Sequence, residues 1–148
     1  MCGIVGLFLK DPKLEPQLGA LLTDMLITMT DRGPDSAGIA IYVRPEAGHA
    51  KLTVQSANAA ADFKGLDADL SAAIGGPVTA DIKDTHVVLD VPADKLDAAR
   101  SAVTTLRPGI KVMSAGEAIE IFKEVGLPKD VAARFGVSKM SGTHGIGH

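Results

Sequence analysis

MCGIVGLF, residues 1–8, decides how the rest of the chain is read. The single cysteine stands at position 2, behind the initiator methionine and ahead of Ile4 to Leu9, an uninterrupted apolar run rich in strand formers. Such a run is expected of a strand buried on both faces. Removal of the methionine, expected because the side chain behind it is small, makes the thiol residue the terminal one. Its own α-amine, with a reference pKa of about 7.7–8.0 against about 8.5 for a free thiol, then sits a few bonds from the sulfur. Near neutral pH that amine can take the thiol proton and later return it to a leaving group, so one residue supplies nucleophile and base. Position alone favours the plainer alternative, a small buried hydrophobe at a strand edge.

Working outward, Leu14, Leu18, Leu21, Leu22, Met25, Leu26 and Met29 recur at intervals of three and four and predict an amphipathic helix. Thr30-Asp31-Arg32-Gly33-Pro34-Asp35 breaks it with turn chemistry, and Gly38 to Val43 reads as a second strand. Residues 1–43 are therefore expected to be β-α-turn-β. Across about 50–115 the texture changes to Ala- and Asp-rich sequence with short β-branched runs. Strands are predicted at Lys51 to Gln55, Val78 to Ile82, Thr85 to Val91 and Ile110 to Met113, and helices at Ala59 to Ile74 and Ala93 to Leu106. That order, β-α-β-β-α-β, is the one of a ferredoxin-like split βαβ unit. Glu117 to Phe135 predicts two short helices separated by Gly126-Leu127-Pro128.

MCGIVGLF taken with Asp31-Arg32-Gly33-Pro34-Asp35-Ser36-Ala37-Gly38 resembles the class II glutamine amidotransferases, N-terminal-nucleophile hydrolases that deliver ammonia to a synthase. The closing Gly145-Ile146-Gly147-His148 is similar to the start of that family's third block. The long middle stretch resembles the stand-alone amidotransferase subunits of glutamate synthase and N-methylglutamate synthase systems. The resemblance implies an α+β chain forming part of a four-layer αββα sandwich with an inserted ferredoxin-like subdomain. Its divisions are expected at 1–48 for the first part of the amidotransferase domain, 49–138 for the insert, and 139–148 for the return.

The roles that follow are implied by the resemblance. Cys2 attacks the side-chain carbonyl of glutamine, with its freed amine as base. Arg32 and Gly33 belong to the loop beside the nucleophile, Asp35 and Ser36 fix that loop by hydrogen bonds to backbone groups, and His148 belongs to the substrate site. No metal or organic cofactor is needed for glutamine hydrolysis, and the partners implied are synthase subunits, in an oligomer or hetero-complex. The family's carboxylate-binding arginine and its oxyanion-stabilising Asn-Gly pair follow the third block and are not among these 148 residues. The chain is accordingly expected to be an N-terminal portion, weakly active by itself.

Composition limits the alternatives. With 148 residues, 46% of them hydrophobic, there is material for one ordinary domain or two small ones. One cysteine forms no internal bridge, and no apolar run reaches the roughly 18 residues of a membrane span. No secretory leader is legible, so a reducing cytoplasm is expected. A net charge of −3 and five aromatic residues argue against nucleic-acid binding. His49 reads as a solvated loop residue and His86 as packed or facing water. His144 and His148 lack a third ligand nearby, which argues against a metal. The remaining alternative from another class is a non-catalytic ferredoxin-like binding or docking subunit of a glutamate synthase-like complex.

Overall fold

The computed structural model describes residues 3–148. In chain order the elements are β1 (Val5–Phe8), α1 (Leu18–Thr28), β2 (Ser36–Tyr42), β3 (His49–Gln55), α2 (Ala59–Asp62), α3 (Leu66–Ile74), β4 (Thr79–Lys83), β5 (His86–Pro92), α4 (Leu96–Leu106), β6 (Lys111–Gly116), β7 (Ile119–Val125), α5 (Pro128–Phe135) and β8 (His144–Gly147). The chain is α+β and divides into two units, Met1–Arg44 with Ile121–His148, and Pro45–Glu120.

In the first unit the strand order is β1-β8-β2-β7. The short β8 lies antiparallel to both β1 and β2, with Gly147 opposite Val5 on one side and Ile39 on the other. One helix explains why the C-terminal segment is so rich in glycine. Leu18, Leu22 and Leu26 of α1, four residues apart, are all buried. A Cβ on Gly142 would stand 2.8 Å from Leu18 Cδ2, one on Gly145 2.8 Å from Leu22 Cδ2, and one on Gly147 2.9 Å from Leu26 Cδ1. The leucine stripe therefore rests on bare backbone. Each buried leucine contributes roughly 1.5–3 kcal/mol relative to exposure. Beside α1, helix α5 starts at Pro128, ends at Gly136 with φ +65°, and packs Phe135 against Phe122 of β7 at 5.4 Å between ring centroids.

Two expectations change here. Ile4 to Leu9 is covered on one face only: Ile4 is 73% and Phe8 67% exposed, while the alternate residues Val5 and Leu7 are partly covered. Within this unit α1 packs on β1 and β8 and α5 on β2, on the side where Ala37, Ile39 and Ile41 are buried, while among the described residues Ile4, Phe8 and Ile146 of the opposite side stay exposed. The segment expected to be the first of two helices in 117–135 is instead strand β7. Its apolar residues Ala118, Ile121, Phe122 and Val125 mimic helical spacing. Pairing with β2 and the fit of Phe122 to Phe135 outweigh that pattern in a segment of β-branched residues between Gly116 and Gly126.

The second unit runs β3, α2 and α3, β4, β5, α4, β6, with strand order β4-β5-β3-β6 and antiparallel neighbours throughout. Its core sets Leu52, Val54, Val87, Leu89 and Val91 of the sheet against Leu66 and Leu70 of α3 and Ala99 and Val103 of α4. The helix expected at Ala59 to Ile74 is broken in two, because Gly65 takes the left-handed conformation at φ +66°. A two-residue loop, Asp84-Thr85, joins β4 to β5, and Asp84 accepts φ +56° there. The observed bounds of this unit differ from the expected insert at 49–138, since β7 and α5 pair and pack within the first unit.

Candidate functional site

The turn after α1 is held by its own backbone. Arg32 N–H donates to Met29 O (2.9 Å), Gly33 N–H to Thr30 O (3.1 Å), and the Thr30 hydroxyl to Ile27 O (2.6 Å). Gly3 lies against this turn: a Cβ there would stand 3.2 Å from Arg32 Cβ. At the next corner Gly126 N–H donates to Asp35 O at 2.9 Å, which ties the end of β7 to the start of β2. This tie runs through the main-chain oxygen of Asp35.

A cavity of about 270 Å³ opens at this end of the sheet, lined by Gly3, Arg32, Gly33, Pro34, Asp35, Ser36, Lys123 and His148. It lies near the lower end of small-molecule sites, which begin at roughly 300 Å³. Five of the six residues singled out from the sequence, Arg32, Gly33, Asp35, Ser36 and His148, line it together. The sixth, Cys2, lies outside the described residues; its sequence neighbour Gly3 is part of the wall. His148 is fixed by a two-way backbone exchange with Gly38 (2.9 and 3.0 Å). Its ring crosses the space a side chain at 38 would fill, with Nε2 2.6 Å from the ideal Cβ position.

Lys123 was not found from the sequence. The segment around it reads as helix, and only its true strand register brings position 123 to the cavity. His144 plays a different part from His148: it stacks on Tyr42 at 4.1 Å and takes a 2.9 Å hydrogen bond with the Thr143 hydroxyl. Among the described residues no three His, Cys, Asp or Glu side chains converge to hold a metal ion. No described helix is long and apolar enough to cross a membrane.

A larger cavity, about 390 Å³, lies in the second unit and includes none of the motif residues. At its rim His49 Nδ1 sits 2.6 Å from Asp90 Oδ1 and Nε2 3.8 Å from Glu46. Hydrogen bonding to the Asp90 carboxylate, then that carboxylate's charge, raises the His49 pKa. His49, expected in a solvated loop, therefore opens strand β3 with a partner on β5. His86 is fully buried, the packed alternative of the two expected for it.

These features bring together Gly3, the Arg32-Gly33-Pro34-Asp35 turn and His148 at one cavity, and sequence comparison links the chain to glutamine amidotransferase-like proteins. It is 58% identical over its whole length to glutamine amidotransferase-like protein GlxB of Rhizobium meliloti (strain 1021), covering 49% of that protein. It is 29% identical, again over its whole length, to a putative glutamine amidotransferase of Methanothermobacter thermautotrophicus (strain Delta H), covering 51% of it. The chain spans about half the length of these curated relatives. No protein-family profile matches it.

Proposed function

We propose that the chain carries the nucleophile half of a class II glutamine amidotransferase, which hydrolyses glutamine through Cys2 and passes ammonia to a synthase partner. The observation that carries this reading is the cavity itself, where Gly3, one peptide bond from Cys2, meets Arg32, Gly33, Asp35, Ser36 and His148. The relatives' names agree with the activity. In the proposed reaction the Cys2 thiolate adds to the amide carbonyl of glutamine while its α-amine holds the thiol proton. The tetrahedral adduct collapses to a γ-glutamyl thioester as that proton passes to the departing ammonia, and water then releases glutamate. Nothing in the sequence of steps asks for a redox or metal cofactor.

The same reading extends to the fold. We infer that Pro45–Glu120 is a ferredoxin-like insert, which the order β-α-β-β-α-β and the strand order β4-β5-β3-β6 support. We further infer that the uncovered face of the first sheet, where Ile4, Phe8 and Ile146 are exposed, meets a second sheet to complete a four-layer αββα sandwich. A cytoplasmic site of action accords with a thiol that must stay reduced.

The test is to treat the purified protein, with any chains that accompany it, with a diazoketone analogue of glutamine. Mass spectrometry should find one adduct, on Cys2, on a chain that has lost Met1. Cys2→Ser should abolish both the adduct and glutaminase turnover. A chain that retains Met1, or turnover that survives Cys2→Ser, overturns the reading in favour of a docking or binding subunit.

A further inference from the structure

Strand β4 forms one edge of the second sheet, where among the described residues its strand neighbour is β5 alone. The two-residue loop Asp84-Thr85 makes Lys83 and His86 a hydrogen-bonded pair, so alternation along the ladder turns the N–H and C=O of Lys83, Asp81 and Thr79 toward β5. Those of Ala80 and Ile82 therefore point away from the sheet, and no described backbone group meets them there. Residues 79–82 are all exposed, the large apolar Ile82 to 58%.

Ile82 stands opposite Val87, which packs in the core with Leu66 and Leu70 of α3, so it lies on the helix-covered side of this sheet. There it borders an open groove of about 360 Å³ with Ala59, Ala60 and Phe63. On the other side of the strand Asp81 and Lys83 form an ion pair, Nζ to Oδ2 2.9 Å. The edge thus reads acid, apolar, base over three successive residues, a pattern that is its own complement. When two such strands run antiparallel about a twofold axis through Ile82, each Asp81 faces the Lys83 of the other copy. Every charge then lies between two of opposite sign. The outward N–H and C=O of Ile82 exchange two hydrogen bonds with the same groups of the second copy, and the two isoleucines meet beside their grooves. Sliding the pairing until Ala80 faces Ile82 adds two hydrogen bonds but sets Asp81 opposite Asp81, which like-charge repulsion opposes. Charged residues ordinarily blunt an exposed edge. Here their order selects one register of a self-pairing.

We propose that β4 is a self-association edge, through which two copies of this chain join their four-stranded second sheets into one antiparallel sheet. The proposal stands apart from the amidotransferase reading. A contact of this kind is small, and its affinity belongs with transient complexes and not with obligate dimers.

Sedimentation equilibrium of the intact protein, with any chains that accompany it, over a concentration series supplies the test. Wild type should show reversible self-association in pairs. Asp81→Lys and Lys83→Asp should each weaken it about tenfold or more, because each sets like charges face to face. An equimolar mixture of the two variants should associate as wild type does, since each supplies the charge the other lacks, and this recovery also shows that both are folded. Under oxidising conditions Ile82→Cys chains should link through that position, as the separation of about 5.5 Å between Cα atoms of a hydrogen-bonded pair allows. The proposal is overturned if wild type does not self-associate, or if association is unchanged in both charge variants, as a contact through the exposed Ile4 and Phe8 would leave it. It is equally overturned if the two variants ignore each other when mixed, or if Ile82→Cys chains stay unlinked at that position.

Discussion

Nε2 of His148 lies 2.6 Å from the point where a Cβ on Gly38 would stand, and the two residues exchange both backbone hydrogen bonds across β2 and β8. The glycine at 38 therefore reserves space for the imidazole. Gly38→Ala should force the ring aside, at a stability loss of about 1–3 kcal/mol. Denaturant unfolding of Gly38→Ala, His148→Ala and the double variant should reveal a coupling of roughly 1 kcal/mol, since the second change removes the clash created by the first. Strict additivity would show that the two side chains do not compete for that space.

Two other glycines should respond in opposite ways. A Cβ on Gly19 of α1 would meet Met140 O at 2.7 Å and Met140 N at 2.9 Å, with the backbone oxygen of Val137 nearer still. Backbone has little room to yield, so Gly19→Ala should cost about 3 kcal/mol or more. Gly33, in the turn beside the cavity, has nothing within 4 Å of its Cβ position and an extended φ of −167°. Gly33→Ala should fold within about 0.5 kcal/mol of wild type. Any change in Cys2 labelling by the glutamine analogue in that variant then reports on the cavity and not on stability.

His49 sets a pH dependence with a definite sign. Its pKa in the folded chain is raised above the ordinary 6.5, first by the hydrogen bond with Asp90 and next by that carboxylate's charge, while Glu46 adds less and partial desolvation opposes. The contribution is present in full below the unfolded value of about 6.5 and is lost as pH rises through the higher folded value. The difference in urea midpoint between wild type and His49→Gln should be greatest in mild acid and shrink toward alkaline pH. A difference that grows with pH would refute the assignment.

Thr53 is fully buried, and its hydroxyl has no hydrogen-bond partner among the described residues. Thr53→Val keeps the shape and removes the stranded polar atom, so it should stabilise the chain by about 1 kcal/mol. The check is a higher urea midpoint at unchanged slope.

What was legible in the sequence was the local part. The leucine spacing of α1, the Thr30–Asp35 turn and the alternating elements of 50–115 each follow from periodicity or turn chemistry acting within a few residues. The convergence of Arg32, Gly33, Asp35, Ser36 and His148 on one cavity came through two motifs separated by about a hundred residues, which no periodicity could join. What escaped was decided at a distance. β7 was misread because its apolar spacing fits a helix, and only its place beside β2 makes it a strand. The misreading also hid Lys123. The outward exposure of Ile4 and Phe8 was missed for a related reason: an apolar run says how much it prefers burial, and its neighbours determine how many faces are covered.

Lys51 and Gly116 are cross-strand partners on β3 and β6, so the polypeptide enters and leaves the second unit through adjacent positions. The Lys51 ammonium, 2.9 Å from the Glu120 carboxylate, pins the exit to the entrance. A module closed at its own doorway can be exchanged, enlarged or trimmed to a short hairpin without dragging on the strands outside it.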